Sequence, residues 1–218
     1  MPGRTISLVN NEFYHIYNRG SEKRDIFTQP RDYERFLKIL FYYQFLGPKP
    51  SFSKFTKSKL SPLKPLGRER FLDVICYCLM PNHFHFLVRQ LKDGGISKFV
   101  SQLANSYTKY FNTKYNRVGP LFQGAFKAVR IETDEQLIHV SRYIHLNPVV
   151  SGIVKELDNY KWSSFQEFIN AINIVCLSDE VLNFFPTSVA YKEFVESQIE
   201  YGTTLEILKH QAIDYDEH

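Results

Sequence analysis

The chain has 218 residues, of which 44% are hydrophobic and 16% aromatic, and it carries a formal charge of +4. That is enough for one substantial domain, or a domain plus an appendage, and too apolar for a disordered polymer. No stretch approaches the ~20 apolar residues of a membrane span, and the first residues lack the apolar core of a signal peptide, so a cytoplasmic protein with no membrane partner is expected. Cys76, Cys78 and Cys176 sit in apolar runs and read as buried, reduced thiols.

Residues 12–18, EFYHIYN, are aromatic and β-branched and predict a strand. A polar loop, NRGSEKRDIFTQP, follows. Tyr33, Phe36, Leu37, Leu40 and Phe41 then recur at helical spacing, and Gly47-Pro48 stops that helix. Residues 47–68 hold six basic residues and no acidic one, and read as a solvated insertion or a phosphate-contacting arm. FLDVICYCLM and HFHFLVR, joined by a turn at MPN, predict an antiparallel hairpin. Residues 96–115 place Ile96, Phe99, Val100, Leu103, Tyr107, Tyr110 and Phe111 on one helical face.

After a loop from Asn116 to Gly124, AFKAVRIE predicts a fourth strand. Thr133 and Gln136 resemble a capping box that opens a helix over 134–146, with Pro148 limiting its continuation. Leu137, Val140 and Ile144 would form its buried stripe. The order of strand, helix, strand, strand, helix, strand, helix predicts an α+β domain: a ferredoxin-like antiparallel sheet with helices packed on one face. It should occupy residues 1–160, with 47–68 as a basic loop insertion and 161–218 as a small C-terminal helical appendage ending in a frayed AIDYDEH.

His83 and His85 lie two apart in a strand, so both imidazoles share a face while Phe84 and Phe86 point to the other layer. Two convergent imidazoles are a start for a divalent metal site, although two solvated histidines fit the same short pattern. His139, Tyr143 and Asn147 follow one another at four-residue steps along the last helix. Asn147 would add a carboxamide oxygen to the pair. Tyr143 could attack a phosphate polarised by the cation and leave a covalent phosphotyrosine, which needs no nucleotide cofactor to be reversed. Tyr107, Tyr110 and Tyr115 are rival tyrosines, but Tyr107 and Tyr110 fit a packing face and lack an Asn four residues on.

The string LMPNHFHFLV resembles the His-hydrophobe-His motif of the single-tyrosine transposases, and RYIHLNPV their tyrosine helix. More closely, the chain is similar to the REP-associated tyrosine transposases, through YHIYNRGSEKRDIF, GPLFQGAFKA and NYKWSSF as well, over roughly residues 12–166. The resemblance implies a ferredoxin-like fold that nicks and rejoins single-stranded or hairpin DNA with Mg²⁺ or Mn²⁺, through a 5′-phosphotyrosine and a free 3′ hydroxyl; the sequence leaves monomer or homodimer open. It implies Tyr143 as nucleophile, and His83, His85 and Asn147 as metal ligands. In GPLFQGAFK the family often has Arg where this chain has Ala125, and Lys127 or Arg130 could substitute.

Arg19, Arg24, Arg117 and Lys127 are the candidate phosphate contacts. Two other readings remain at the level of sequence. One is a hairpin-binding protein derived from a transposase and impaired in cleavage. The other is a hydrolase that uses water in place of tyrosine.

Overall fold

The computed structural model describes residues 7–46, 52, 54 and 69–204. Its centre is a four-stranded antiparallel sheet built from β1 (Phe13–Arg19), β2 (Leu72–Met80), β3 (His83–Gln90) and β4 (Lys127–Ile131), in the order β2-β3-β1-β4. β2 and β3 form the expected hairpin about Pro81-Asn82. β2 is buried along its whole length and carries a register shift between Val74 and Cys76. The three cysteines are free and buried, as their apolar setting predicted.

The period-2 pattern of β3 sorts its side chains between two layers. Phe84 and Phe86 turn to one face, where Phe36 of α1 (Pro30–Tyr43) lies 5.6 and 6.2 Å from their ring centres. α2 (Gly95–Lys114) packs beside α1 and sends Tyr107 against Phe36, at 4.9 Å. Buried Asp32 fastens the two helices together. Its carboxylate accepts from the Tyr110 and Tyr115 hydroxyls (2.9 and 2.7 Å), Lys114 Nζ (2.6 Å) and the Thr28 backbone (3.1 Å). Burial alone would raise its pKa. The donors outweigh that and lower it to about 2.

α3 (Asp134–Val150) opens where its cap predicted, with Gln136 N donating to Thr133 Oγ1 at 3.1 Å and Glu132 N donating to Gln136 Oε1 at 2.8 Å. It does not join α1 and α2. It covers the opposite face of the sheet, burying Leu137 and Ile144 there, and this brings Tyr143 over His85. The helix also runs through Pro148 to Val150, four residues beyond its expected end. In the last turn, proline forfeits a single backbone bond and the chain is about to leave the helix anyway. Ser151 N still reaches Asn147 O (2.9 Å), and Gly152, at φ 69, supplies the left-handed exit.

Beyond α3 the chain runs alongside the outer edge of β2. Leu79 N donates to Trp162 O, Ser164 N to Tyr77 O and Leu177 N to Val74 O, at 2.8–2.9 Å. Short helices follow, among them α4 (Phe165–Ile169), α5 (Asp179–Leu182) and α6 (Ser188–Glu196). Of the basic stretch 47–68 only Phe52 and Lys54 are described; Phe52 is buried, with the Arg35 guanidinium 4.4 Å over its ring. The terminal AIDYDEH lies outside the described residues. Among the described residues, no helix is long and apolar enough to cross a membrane.

Candidate active site

The register of β1 builds the site. Tyr17 stands opposite His85 on one side and Lys127 on the other, and Arg19 stands opposite His83. All five side chains therefore rise on the face that α3 covers. The His83 and His85 ring centres are 5.0 Å apart. The Tyr143 ring stands edge-on to His85 at 5.6 Å, and the residue remains 51% exposed.

Each histidine is held at Nδ1. Asn82 Nδ2 donates to the Lys23 carbonyl (3.3 Å), which turns its Oδ1 toward His83 Nδ1 at 2.6 Å. An amide oxygen only accepts, so His83 carries its proton on Nδ1 and keeps the Nε2 lone pair. His85 Nδ1 lies 2.9 Å from Nε2 of His15, a third histidine two positions before Tyr17 in β1. Burial lowers the pKa of all three. His15 and His83 fall to about 4, His83 with help from the Arg19 charge, and His85 lies well below 6.5. All three are neutral near pH 7, the form that ligates metals.

Asn147 lies one turn after Tyr143, and its Nδ2 donates to the Tyr143 carbonyl at 2.7 Å. Among the described residues its side chain has no hydrogen bond to either histidine. His139, aligned with Tyr143 in the sequence, is turned away. Its Nδ1 accepts from Arg142 (2.8 Å) and its ring packs on Phe194. Four residues advance a helix by about 400°, so the drift of about 40° per step accumulates along such a row.

A cleft of about 460 Å³ opens beside the histidines. Arg19 and Lys127 line it, as does Lys23, which sequence reasoning missed. Arg19 Nε donates to Gln123 Oε1, a neighbour on the same wall. Ala125 lies exposed in the cleft, where the resembling family often has Arg. Lys127 stands in the cleft with it, whereas Arg130 is paired with Glu12 at 3.0 Å. Arg24 and Arg117 are not among the lining residues. Arg24 bonds Glu22 and the Ser21 carbonyl, and Arg117 bonds Asn112.

Residues 54–147 match the family model of the IS200-like transposases, and the matched segment carries both histidines, Tyr143 and Asn147. The chain resembles an IS200-like transposase. Its fold is that of a solved REP-associated tyrosine transposase bound to a REP hairpin, with a TM-score of 0.53 at 14% identity over 83% of this chain and 93% of that one. A candidate transposase from Deinococcus radiodurans R1 superposes at a TM-score of 0.36 and 12% identity, over 66% of this chain and 95% of that one; a likeness so slight carries no argument. No curated protein sequence matches the chain. The resemblance to the REP-associated tyrosine transposases, drawn from separated sequence motifs, stands.

Proposed function

We propose that this chain nicks and rejoins single-stranded DNA beside a hairpin, with Tyr143 as the nucleophile. One observation carries the reading. The half-exposed Tyr143 ring stands 5.6 Å from His85, on the face that also holds His83 and the basic cleft.

The residues present fit a divalent cation. His83 Nε2 is left with its lone pair, His85 stands neutral beside it, and the Asn147 carboxamide oxygen is uncommitted among the described residues. No group of three His, Cys, Asp or Glu side chains among the described residues could hold an ion by itself. Water and a DNA phosphate would complete the set, the usual pattern for Mg²⁺. When bound, Mg²⁺ or Mn²⁺ would polarise the scissile phosphate and offset the charge that develops on its oxygens.

The side chains do the rest. Arg19, Lys23 and Lys127 draw the phosphate backbone along the cleft without regard to sequence. Tyr143 Oη attacks phosphorus, forming a new O–P bond. The bond from phosphorus to the 3′ oxygen breaks, and that oxygen leaves as a hydroxyl, taking up a proton from solvent as the tyrosyl hydroxyl releases one to it. The product is a 5′-phosphotyrosine. A 3′ hydroxyl can reverse the step, because the tyrosyl ester conserves the phosphodiester energy.

The test is a covalent-adduct assay with labelled hairpin oligonucleotides, randomised beside the stem, and Mg²⁺ or Mn²⁺. The expected result is a metal-dependent, denaturation-resistant band that is absent from Tyr143→Phe and weakened in His83→Ala. Cleavage that persists in Tyr143→Phe without an adduct would make water the nucleophile.

A second reading rests on Ala125: a hairpin-binding protein impaired in cleavage, lacking a cation at this point of the cleft. It requires hairpin binding with neither adduct nor cleavage under any divalent cation.

A further inference from the structure

His15 belongs to neither the nucleophile nor the expected ligand set, yet it touches both. Its Nε2 is 2.9 Å from His85 Nδ1, its ring stacks on His85 at 5.1 Å and 24°, and it meets the Tyr143 ring edge-on at 5.8 Å. A hydrogen bond between two neutral imidazoles has two arrangements. In one, His85 donates from Nδ1 and keeps a lone pair on Nε2. In the other, His15 donates from Nε2, and the proton of His85 sits on its own Nε2, where it would block a cation. The first arrangement matches that of His83, whose Nδ1 proton is fixed by Asn82.

We propose that His15 is a positioning residue that accepts the Nδ1 proton of His85 and so presents His85 Nε2 to the cation. The inference rests on the metal-dependent reading given above. Asn82 and His15 then form a matched pair of outer supports, one for each candidate ligand. Such a partner fixes both the tautomer and the orientation of the ring it holds, and its loss typically weakens metal binding by about 10–100-fold. The diagonal placement in the sheet makes this possible. His15 is paired with Leu87 and Tyr17 with His85, so His15 leans across the ladder by one side-chain step.

The test is Mn²⁺ binding to the DNA-free protein, followed by paramagnetic resonance, in wild type, His15→Phe and His15→Gln. Phenylalanine keeps the stacking ring and removes the acceptor, whereas glutamine restores an acceptor oxygen on a flexible stem. His15→Phe should bind Mn²⁺ about 10–100-fold more weakly than wild type, and His15→Gln should recover much of the loss. In Mg²⁺-saturated wild-type protein, long-range ¹⁵N correlation spectra should place the His85 proton on Nδ1. Wild-type binding matched by His15→Phe within about twofold would overturn the role of His15, as would an Nε2 proton on His85. Failure of the wild type itself to bind Mn²⁺ would instead overturn the metal reading on which the inference stands. The spectrum needs no variant, so it decides the matter even where His15→Phe does not fold.

Discussion

His145 Nε2 lies 2.8 Å from Ser164 Oγ, in a contact buried from solvent on both sides. Its other nitrogen is 2.7 Å from the Tyr191 hydroxyl, so this one ring on α3 ties the tyrosine helix to both the β2-edge segment and α6. His145→Ala opens a cavity and takes one partner from each of two buried hydroxyls, which keep only Tyr77 and Ser141 among the described residues. It should cost about 2–4 kcal/mol in urea unfolding. Because the ring is two residues from Tyr143, adduct yield should fall in the same variant at temperatures where it remains folded.

The same ring gives stability a pH dependence. Burial lowers the His145 pKa from 6.5 to about 3. Between those values the unfolded chain binds a proton that the folded chain refuses. Stability therefore falls as pH drops below about 6.5, with a slope approaching ~1.4 kcal/mol per pH unit for each such group. His15, His83 and His85 are lowered in the same direction. Urea unfolding of His145→Gln between pH 7 and pH 4 should show the slope reduced by one proton relative to wild type. An unchanged slope would mean that His145 titrates normally.

The cleft makes a quantitative claim about salt. Lys127 stands in it with Tyr17 beneath its ammonium, and Ala125 is exposed beside it. Lys127→Ala should lower the slope of log affinity against log salt by about 0.7–0.9, weakening every DNA sequence alike. Ala125→Arg should raise the slope by a similar amount and tighten binding. Arg24→Ala should leave it nearly unchanged, because Arg24 is already engaged with Glu22 and Ser21. Fluorescence anisotropy over a salt series reads all three.

Gly20 has an ordinary backbone conformation, but a Cβ there would come within 2.2 Å of the Arg24 carbonyl oxygen. Gly20→Ala must open the turn that carries Lys23, at a cost of about 1–3 kcal/mol. The Lys23 carbonyl orients Asn82, which fixes His83. Mn²⁺ affinity should therefore fall together with stability. Unfolding and Mn²⁺ titration of this one variant check the chain of contacts from glycine to ligand.

The elements most legible in the sequence were those whose local pattern matched their tertiary role. The Phe84/Phe86 and His83/His85 alternation in β3, and the Thr133 cap of α3, hold in the structure because nothing distant competes with them. His15 was missed because its meaning lies in a register that joins residues 70 positions apart. Lys23 was missed because a surface cation has no periodicity, and only the Gly20 turn aims it into the cleft. The row His139–Tyr143–Asn147 overstated its own alignment, since helical drift carries His139 to Arg142 and Phe194. The expectation of helices on one face missed that α3 covers the other, because an apolar stripe reports burial without naming the layer it meets.

Tyr143 and His85 come together within one copy of the chain, through a helix that folds back over its own sheet. That placement makes genetic complementation informative. If each copy supplies its own tyrosine and its own histidines, an equimolar mixture of Tyr143→Phe and His83→Ala protein holds no complete site at any concentration. The mixture should then yield no more adduct than His83→Ala alone, and wild-type adduct formation should remain first order in protein on dilution. Restored activity in the mixture would mean that copies exchange their tyrosine helices before they cut.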